Sequence, residues 1–232
     1  MGVETSVAGR TGASGARLIS VQVGRVARLG PNGVPSAFVK RPVAGPVAIA
    51  ALGLAGDEQA DLRVHGGPEK AVYGYALSSY EEWRDEFPEH GALWVPGGLG
   101  ENLTIDGIDE QTVHIGDVVR IGAATLQVTQ PRQPCFKFAL RFGDKRLPKA
   151  MIRNGRSGWY YRVIETGVLA AGDRLDLLER PNPTWPMVRF NRVLSSKSST
   201  MEDMVELAIL PGLATPWRET ARDAIARATR AG

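Results

Sequence analysis

The sequence is poor in cysteine and histidine, and it has no long apolar run. One cysteine among 232 residues excludes an intramolecular disulfide and favours a reducing compartment. The most apolar stretch, residues 45–55, is too short and too rich in glycine to span a bilayer. The first residues are rich in Gly, Ser, Ala and Thr and lack the apolar core of a signal peptide. We therefore expect a cytoplasmic protein with a flexible leader over residues 1–16 and no membrane partner.

Segments with charge of a single sign are also missing. Lys and Arg number 28 against 25 Asp and Glu, and the two signs are interleaved along the chain. Surfaces that bind nucleic acid concentrate basic residues on one face, often with aromatic residues between them. The sequence therefore argues against a nucleic-acid partner. Its length allows one full hydrophobic core, with or without a small appendage.

Short strands dominate most of the chain. Residues 124–128 alternate between apolar and polar side chains, which predicts a half-buried strand. Two Gly-Asp turns open further alternating strands at residues 116–121 and 172–177. One helix interrupts them, with Ser78 and Glu81 as its expected capping box. The pattern predicts a mainly β fold, a barrel or a sandwich, with a few short helices.

The hydrophobic period changes at a Pro-Asn-Pro break that follows the last predicted strand. Thr184, Ser199 and Thr215 each precede a stretch with helical spacing, so each is an expected helix N-cap. We interpret residues 17–180 as the main domain and residues 184–232 as a small C-terminal three-helix segment. The segment is expected to be a packing appendage or an interaction surface rather than a catalytic unit.

Cys135 lies where a strand stops and a helix starts. Pro131 and Pro134 end the strand ladder, and Pro134 suits the first turn of a helix. A thiol there lies near unpaired backbone N–H groups, and Arg132 and Lys137 add positive charge. These neighbours favour the thiolate, which is both a nucleophile and a soft-metal ligand. Free cysteines also behave as small buried hydrophobes, so both interpretations stay open at this point.

A second cluster combines His65, Gly66, Gly67 and Lys70. The glycines allow backbone N–H groups to approach a ligand, and the two basic side chains can donate to an anion, which favours a phosphate cradle. The spacing differs from the Walker A motif, and a turn beside a hydrogen-bonded histidine is the alternative. Asn102 lies just after the glycine-rich residues 97–100 and just before another predicted strand. Such a segment can line a ligand pocket or can simply form a β-bulge.

Six short motifs occur in a characteristic order. They are Lys40-Arg41-Pro42-Val43, Gly56-Asp57, His65-Gly66-Gly67, Gly100-Glu101-Asn102, the Pro-Arg-x-Pro-Cys that ends at Cys135, and Gly158-Trp159-Tyr160. The ordered set resembles the MOSC family, named for the C-terminal domain of molybdenum cofactor sulfurases, and within it the YiiM-like stand-alone branch. The resemblance covers about residues 17–180, and the helical tail is similar to the three-helix segment that follows the domain in that branch.

The resemblance implies a MOSC-type β-barrel that holds molybdenum cofactor, in which molybdenum is bound by a molybdopterin. It implies that Cys135 supplies a thiolate to the metal, as suits a soft ligand. The cofactor contacts that it implies are Lys40, His65, Gly66, Gly67, Lys70, Asn102 and Arg132.

The same resemblance implies a reductase of small N-hydroxylated substrates such as hydroxylaminopurines. Histidine changes charge near neutral pH, so His65 is the candidate catalytic proton donor. Neither an iron–sulfur cysteine set nor a flavin fingerprint occurs in the sequence, which implies a separate electron-donor protein. Larger members enclose the cofactor with an extra N-terminal domain; here the barrel, the tail or the second subunit of a homodimer would do so. The alternative is a non-catalytic carrier of molybdenum cofactor or sulfur, in which Cys135 bears sulfur transiently.

Overall fold

The computed structural model describes residues 15–62, 65–195 and 199–231, so almost all of the expected leader lies outside the described residues. The strands are β1 (Arg17–Val23), β2 (Ala27–Leu29), β3 (Val34–Ser36), β4 (Arg41–Pro42), β5 (Val47–Ala50), β6 (Gly53–Leu54), β7 (Val72–Ala76), β8 (Leu103–Asp106), β9 (Val118–Ile121), β10 (Ala124–Pro131), β11 (Trp159–Glu165), β12 (Gly167–Leu169) and β13 (Leu175–Glu179). The helices are α1 (Ser79–Glu86), α2 (Phe136–Phe142), α3 (Leu147–Asn154), α4 (Met187–Ser195), α5 (Met201–Ile209) and α6 (Thr215–Ala231), with short 3-10 helices at Pro68–Lys70 and Pro88–Leu93. None of these helices is both long enough and apolar enough to span a bilayer.

An eight-stranded sheet forms the centre of the fold, in the order β13-β9-β10-β11-β7-β8-β1-β4. Its neighbouring strands are antiparallel, except for the parallel pair β7 and β8. A three-stranded sheet, β12-β5-β6, and the β2-β3 pair complete the strand pairing in the described part of the chain. The strands predicted from alternation and from the two Gly-Asp turns are β9, β10 and β13. The mainly β expectation is therefore confirmed.

The sheet is not closed into a barrel, which corrects that part of the expectation. β1 meets the start of β13 through a single bridge between Arg17 and Arg174, and Leu18 N donates to Asp173 O at 2.9 Å beside it. The chain is turning at this point, and the carboxylate of Asp173 accepts from Ala170 N at 2.8 Å. Gly172 N and Leu175 N also donate to Leu18 O and Ala16 O, at 2.7 and 3.0 Å, so the contact between the two sheet edges is confined to residues 16–18 and 172–175.

The tail helices share the main apolar core with the sheet. Trp185, Met187, Phe190 and Leu213 are at most 1% exposed and belong to the same cluster as the buried side chains of β1, β8 and β10. Burial of apolar surface of this kind is the dominant stabilising contribution to folding. These faces of the tail are therefore covered within the chain, and a domain boundary at residue 180 stays a prediction.

The helix starts follow the sequence signals in part. α2 begins directly after Cys135, close to the predicted start, but Pro134 precedes the helix instead of lying in its first turn. The expected capping box of α1 is not formed, because Ser78 itself has helical backbone angles and its side chain makes no capping hydrogen bond to the helix. The N-cap of α5 is Thr200 rather than the predicted Ser199, and its capping box is complete.

Candidate active site

One open cavity gathers nearly all the site residues that the sequence predicts. Its lining includes Lys40, His65, Gly66, Lys70, Asn102, Arg132 and Cys135. Gly67 is not part of the lining. Its φ of 84°, after 77° at Gly66, turns the chain into the Pro68–Lys70 helix, a conformation that favours glycine. The predicted cluster therefore exists in space, and Gly67 shapes the turn behind it.

The Cys135 thiol is half-buried at the N-cap of α2. Burial alone would raise the pKa of the thiol. The hydrogen bond with His65, the charge of Arg132 and the backbone N–H of Lys137 outweigh burial and lower the pKa to about 7. A structural cysteine in apolar surroundings has a raised pKa, whereas a reactive one lies in an electropositive and partly exposed site. The geometry matches that of a reactive thiol.

This environment predicts how the metal-free protein reacts with iodoacetamide. The rate of Cys135 alkylation should rise with pH and reach half its maximum near pH 7, because only the thiolate reacts. His65→Ala removes a hydrogen bond that lowers the pKa, so the midpoint should move upward. A rise of about one unit would slow alkylation at pH 7 roughly fivefold. Cys135→Ser is the unlabelled control, and an unchanged midpoint in His65→Ala would contradict the role given to the imidazole.

Arg132 is a buried cation surrounded by aromatic rings. Its guanidinium carbon lies 5.3, 5.1 and 5.8 Å from the ring centroids of Phe38, Tyr73 and Phe138. It donates to the sulfur of Met151 at 3.8 Å, and no carboxylate among the described residues pairs with it. A buried charge is costly without a counter-charge. The Cys135 thiolate supplies part of that counter-charge, and an anionic group in the cavity would supply the rest.

Lys40 and Asn102 are both held by the protein itself. The Lys40 ammonium donates to Asp57 Oδ1, and both side chains are buried. Burial lowers the pKa of Lys40, although the charge of Asp57 opposes the shift. Asn102 Nδ2 donates to Asp57 Oδ2 at 2.9 Å and to Gln22 O at 3.2 Å, while its Oδ1 accepts from Tyr73 N at 3.1 Å. Asn102 therefore positions Asp57 and joins β1 to β7, and its amide is occupied by protein partners.

Cationic side chains outnumber carboxylates in the cavity lining. Lys137 is buried like Arg132, and over the described ranges it pairs with no carboxylate. The two carboxylates in the lining, Asp57 and Glu58, are already paired with cations. The sequence places Lys137 near the thiol, two residues after Cys135. Its position in the first turn of α2 does not show by itself that the ammonium faces a cavity. The surplus of positive charge favours an anionic ligand.

Two tyrosines also line the cavity, and the sequence analysis did not predict either of them as a site residue. Tyr73 lies on β7 and Tyr160 on β11, and the two rings are 5.3 Å apart. The only available signal is the Gly-Trp-Tyr motif that contains Tyr160. Burial raises the pKa of both phenols, so they stay neutral near neutral pH. The Tyr73 hydroxyl already donates to Ser157 O at 2.8 Å.

Comparison with known proteins identifies relatives of this chain. Residues 61–176 match the family model of the MOSC domain. The chain is 39% identical over 196 residues to a protein named Reductase from Gibberella moniliformis. The aligned region covers 84% of this chain but only 35% of that protein's length. It is 43% identical over 150 residues to protein YiiM of Escherichia coli, covering 65% of this chain and 67% of that protein. The crystal structure of YiiM from Geobacillus stearothermophilus superposes with a TM-score of 0.76 at 31% identity, covering 90% of this chain and 99% of that one. The chain belongs to the MOSC domain family, as a YiiM-like member.

Proposed function

We propose that the protein is a molybdenum-cofactor-dependent reductase of N-hydroxylated compounds. The MOSC family is associated with molybdenum cofactor, and one relative carries the name Reductase. The observation that carries the proposal is the thiol with a pKa of about 7 in the same cavity as two buried cations, Arg132 and Lys137. A soft-metal ligand beside an anion site suits a metal-bearing, phosphorylated cofactor.

The residues present fit this cofactor. Cys135 would ligate the metal, since a thiolate is a soft donor. Arg132 and Lys137 would hold the anionic groups of the pterin part, and Lys70 lies on the same lining. When bound, the cofactor supplies the two-electron exchange that no side chain of this protein can perform.

The protein's own groups supply the proton chemistry. Reduction of an N-hydroxyl group to an amine breaks the N–O bond, consumes two electrons and two protons, and releases water. His65 lies against the thiol on the cavity wall, so it can deliver a proton to the leaving oxygen. Its Nδ1 is buried and has no hydrogen-bond partner in the described structure, an arrangement that a bound ligand would relieve. The electrons would come from a separate protein.

Turnover of a hydroxylaminopurine is the direct test. Protein produced in cells that make molybdenum cofactor should convert 6-N-hydroxylaminopurine to adenine under anaerobic conditions with reduced viologen, followed by chromatography. Protein from cofactor-deficient cells is the control. The active preparation should retain about one molybdenum per chain, because a resident cofactor stays bound through isolation. A cofactor-loaded protein that forms no adenine would refute the reductase, and a largely empty protein would favour a carrier of cofactor or sulfur.

Lys137→Met tests the anion site separately from turnover. Removing a charge-assisted contact should lower molybdenum retention by roughly 10- to 150-fold, since such contacts contribute roughly 1.5–3 kcal/mol. The unfolding temperature of the metal-free variant should not fall, because Met replaces an unpaired buried charge by an apolar chain of similar length. Metal content and thermal unfolding are measured on the same samples. A fall in stability with unchanged metal content would show that Lys137 serves the fold instead.

A further inference from the structure

A second open cavity adjoins the first at the thiol. The two cavities share His65, Lys70, Gln133, Cys135 and Tyr160. The remaining side of the second cavity includes Pro216, Trp217 and Thr220, at the start of α6. The thiol therefore lies between the cation-lined cavity and another one whose wall is the helical tail.

The second cavity differs from the first in chemistry. Its lining contains no carboxylate, and its basic groups are the shared His65 and Lys70. The rest of the lining consists of flat apolar surfaces and amides: Tyr160, Trp217, Pro131, Pro134, Pro216, Gln130 and Gln133. The amide of Gln130 is occupied within the protein, since its Oε1 accepts from Trp217 and its Nε2 donates to Glu69 O at 3.2 Å, so the amide that faces a ligand is that of the exposed Gln133. Aromatic faces with such an amide beside them suit a planar heteroaromatic ring, which stacks on the faces and hydrogen-bonds at its edge.

Trp217 is held in place on two sides. Its indole Nε1 donates to Gln130 Oε1 at 2.8 Å, and Gln130 is almost fully buried. Its ring also packs edge-on against Phe190, with centroids 5.6 Å apart and planes at 84°. A ring with fixed orientation offers a preformed binding surface and loses little entropy when a ligand binds.

The tail helix is also tied to the segment that carries the basic groups of the cavity. The carboxylate of Glu69 accepts from Thr215 N, the first residue of α6, with both oxygens at 3.0 Å. Arg162 donates to the same carboxylate at 3.1 Å. Because Glu69 directly precedes Lys70, the tail wall and the basic wall are fixed relative to each other.

We infer that the second cavity is the substrate subsite and that Trp217 selects planar heteroaromatic N-hydroxylated compounds over small aliphatic ones. This inference rests on the proposed reductase. The ring of the substrate lies against Trp217, and its N-hydroxyl group reaches the boundary shared by the two cavities, where Cys135 and His65 lie. The helical tail therefore forms part of the active site.

Variants of Trp217 test the assignment with two substrates. In Trp217→Ala the KM for 6-N-hydroxylaminopurine should rise about tenfold, since stacking of one base contributes roughly 1–3 kcal/mol. Its kcat, its molybdenum content and the KM for hydroxyurea, which has no ring, should stay within about twofold. Trp217→Phe keeps a flat face and should stay close to the wild type for both substrates. An equal rise of KM for both substrates, or an unchanged KM for the purine, would overturn the inference.

A binding measurement separates this inference from the proposed function. Equilibrium dialysis of adenine with metal-free protein should give a Kd about tenfold higher for Trp217→Ala. Should that variant not fold, Thr220→Trp fills the cavity from an exposed position of α6 and should abolish adenine binding. Unchanged adenine binding in the folded variants would overturn the subsite. Loss of adenine binding in the variants, together with a wild type that reduces neither substrate, would support the heteroaromatic site and overturn the reductase.

Discussion

Cys135→Ser should empty the metal site and leave the fold intact. A hydroxyl is a poor ligand for a soft metal, and even the loss of groups that only orient a ligand typically costs about 10–100-fold in metal affinity. We expect molybdenum retention to fall by at least roughly 100-fold, with reduction of 6-N-hydroxylaminopurine at background level. The metal-free variant should be at least as stable as the wild type, because Cys135 occupies the N-cap of α2 and serine is a preferred N-cap residue.

The pattern of losses distinguishes the roles that the thiol can have. Metal content by mass spectrometry, turnover and thermal unfolding are measured on Cys135→Ser and, as the matched control, on Lys149→Ser, a cation outside both cavity linings. Loss of metal and turnover together supports ligation. Retained metal with lost turnover would assign the thiol a role other than ligation, such as carrying sulfur. Retained metal with near-normal turnover would refute a catalytic thiol altogether.

Local sequence signals predicted the elements that local interactions determine. Alternation identified β10, and the two prolines before Cys135 identified the place where that strand ends and α2 begins. The N-cap of α5 was displaced by one residue because Ser199 and Thr200 are both good caps followed three residues later by an acidic side chain. Only the extended backbone at Thr200 decides between them. Errors of this size reflect alternatives that are nearly equal in energy.

The electrostatics of the site depend on contacts between distant parts of the chain. The ordered motifs indicated that His65 and Cys135 belong to one site, but no spacing shows that the imidazole contacts the thiol. The sequence also does not show that the side-chain amide of Asn102 hydrogen-bonds to Asp57, Gln22 and Tyr73, because these partners come from different strands and loops. The missing ladder between β1 and β13 has the same origin, since it depends on how a turn at Asp173 meets β1.

Local signals in the tail predict its helices but not what those helices pack against. Its proline-rich boundary and helical period suggest a separable unit, and helical spacing gives the apolar stripes without saying what covers them. In the structure only part of these stripes is covered: Leu207, Ala208 and Ala221 join the core shared with the sheet, whereas Met201, Val205 and Ile209 stay exposed. Asn182, inside the proline-rich break, donates to Ile115 O and Pro211 O at 2.8 Å each. The break is therefore hydrogen-bonded to both parts that it would separate.

Truncation after residue 180 should consequently abolish the folded state. It removes Trp185, Met187, Phe190 and Leu213, each at most 1% exposed, and bares the sheet surface that they cover. Each large apolar side chain on the sheet that loses its cover costs roughly 1.5–3 kcal/mol on exposure to water. We expect the truncated protein to aggregate or to lack a cooperative unfolding transition in urea.

Point substitutions in the full-length protein provide a graded version of the same test. Phe190→Ala should lower the free energy of unfolding by about 3–5 kcal/mol, since it leaves a cavity in the shared core. Val205→Ala, on the half-exposed face of α5, should change it by less than about 1 kcal/mol. Because Phe190 also packs against Trp217, its loss should weaken adenine binding as well, whereas Val205→Ala should not affect binding. A truncated protein that unfolds cooperatively and binds adenine as the full chain does would instead make the tail an appendage, and it would remove α6 from the active site.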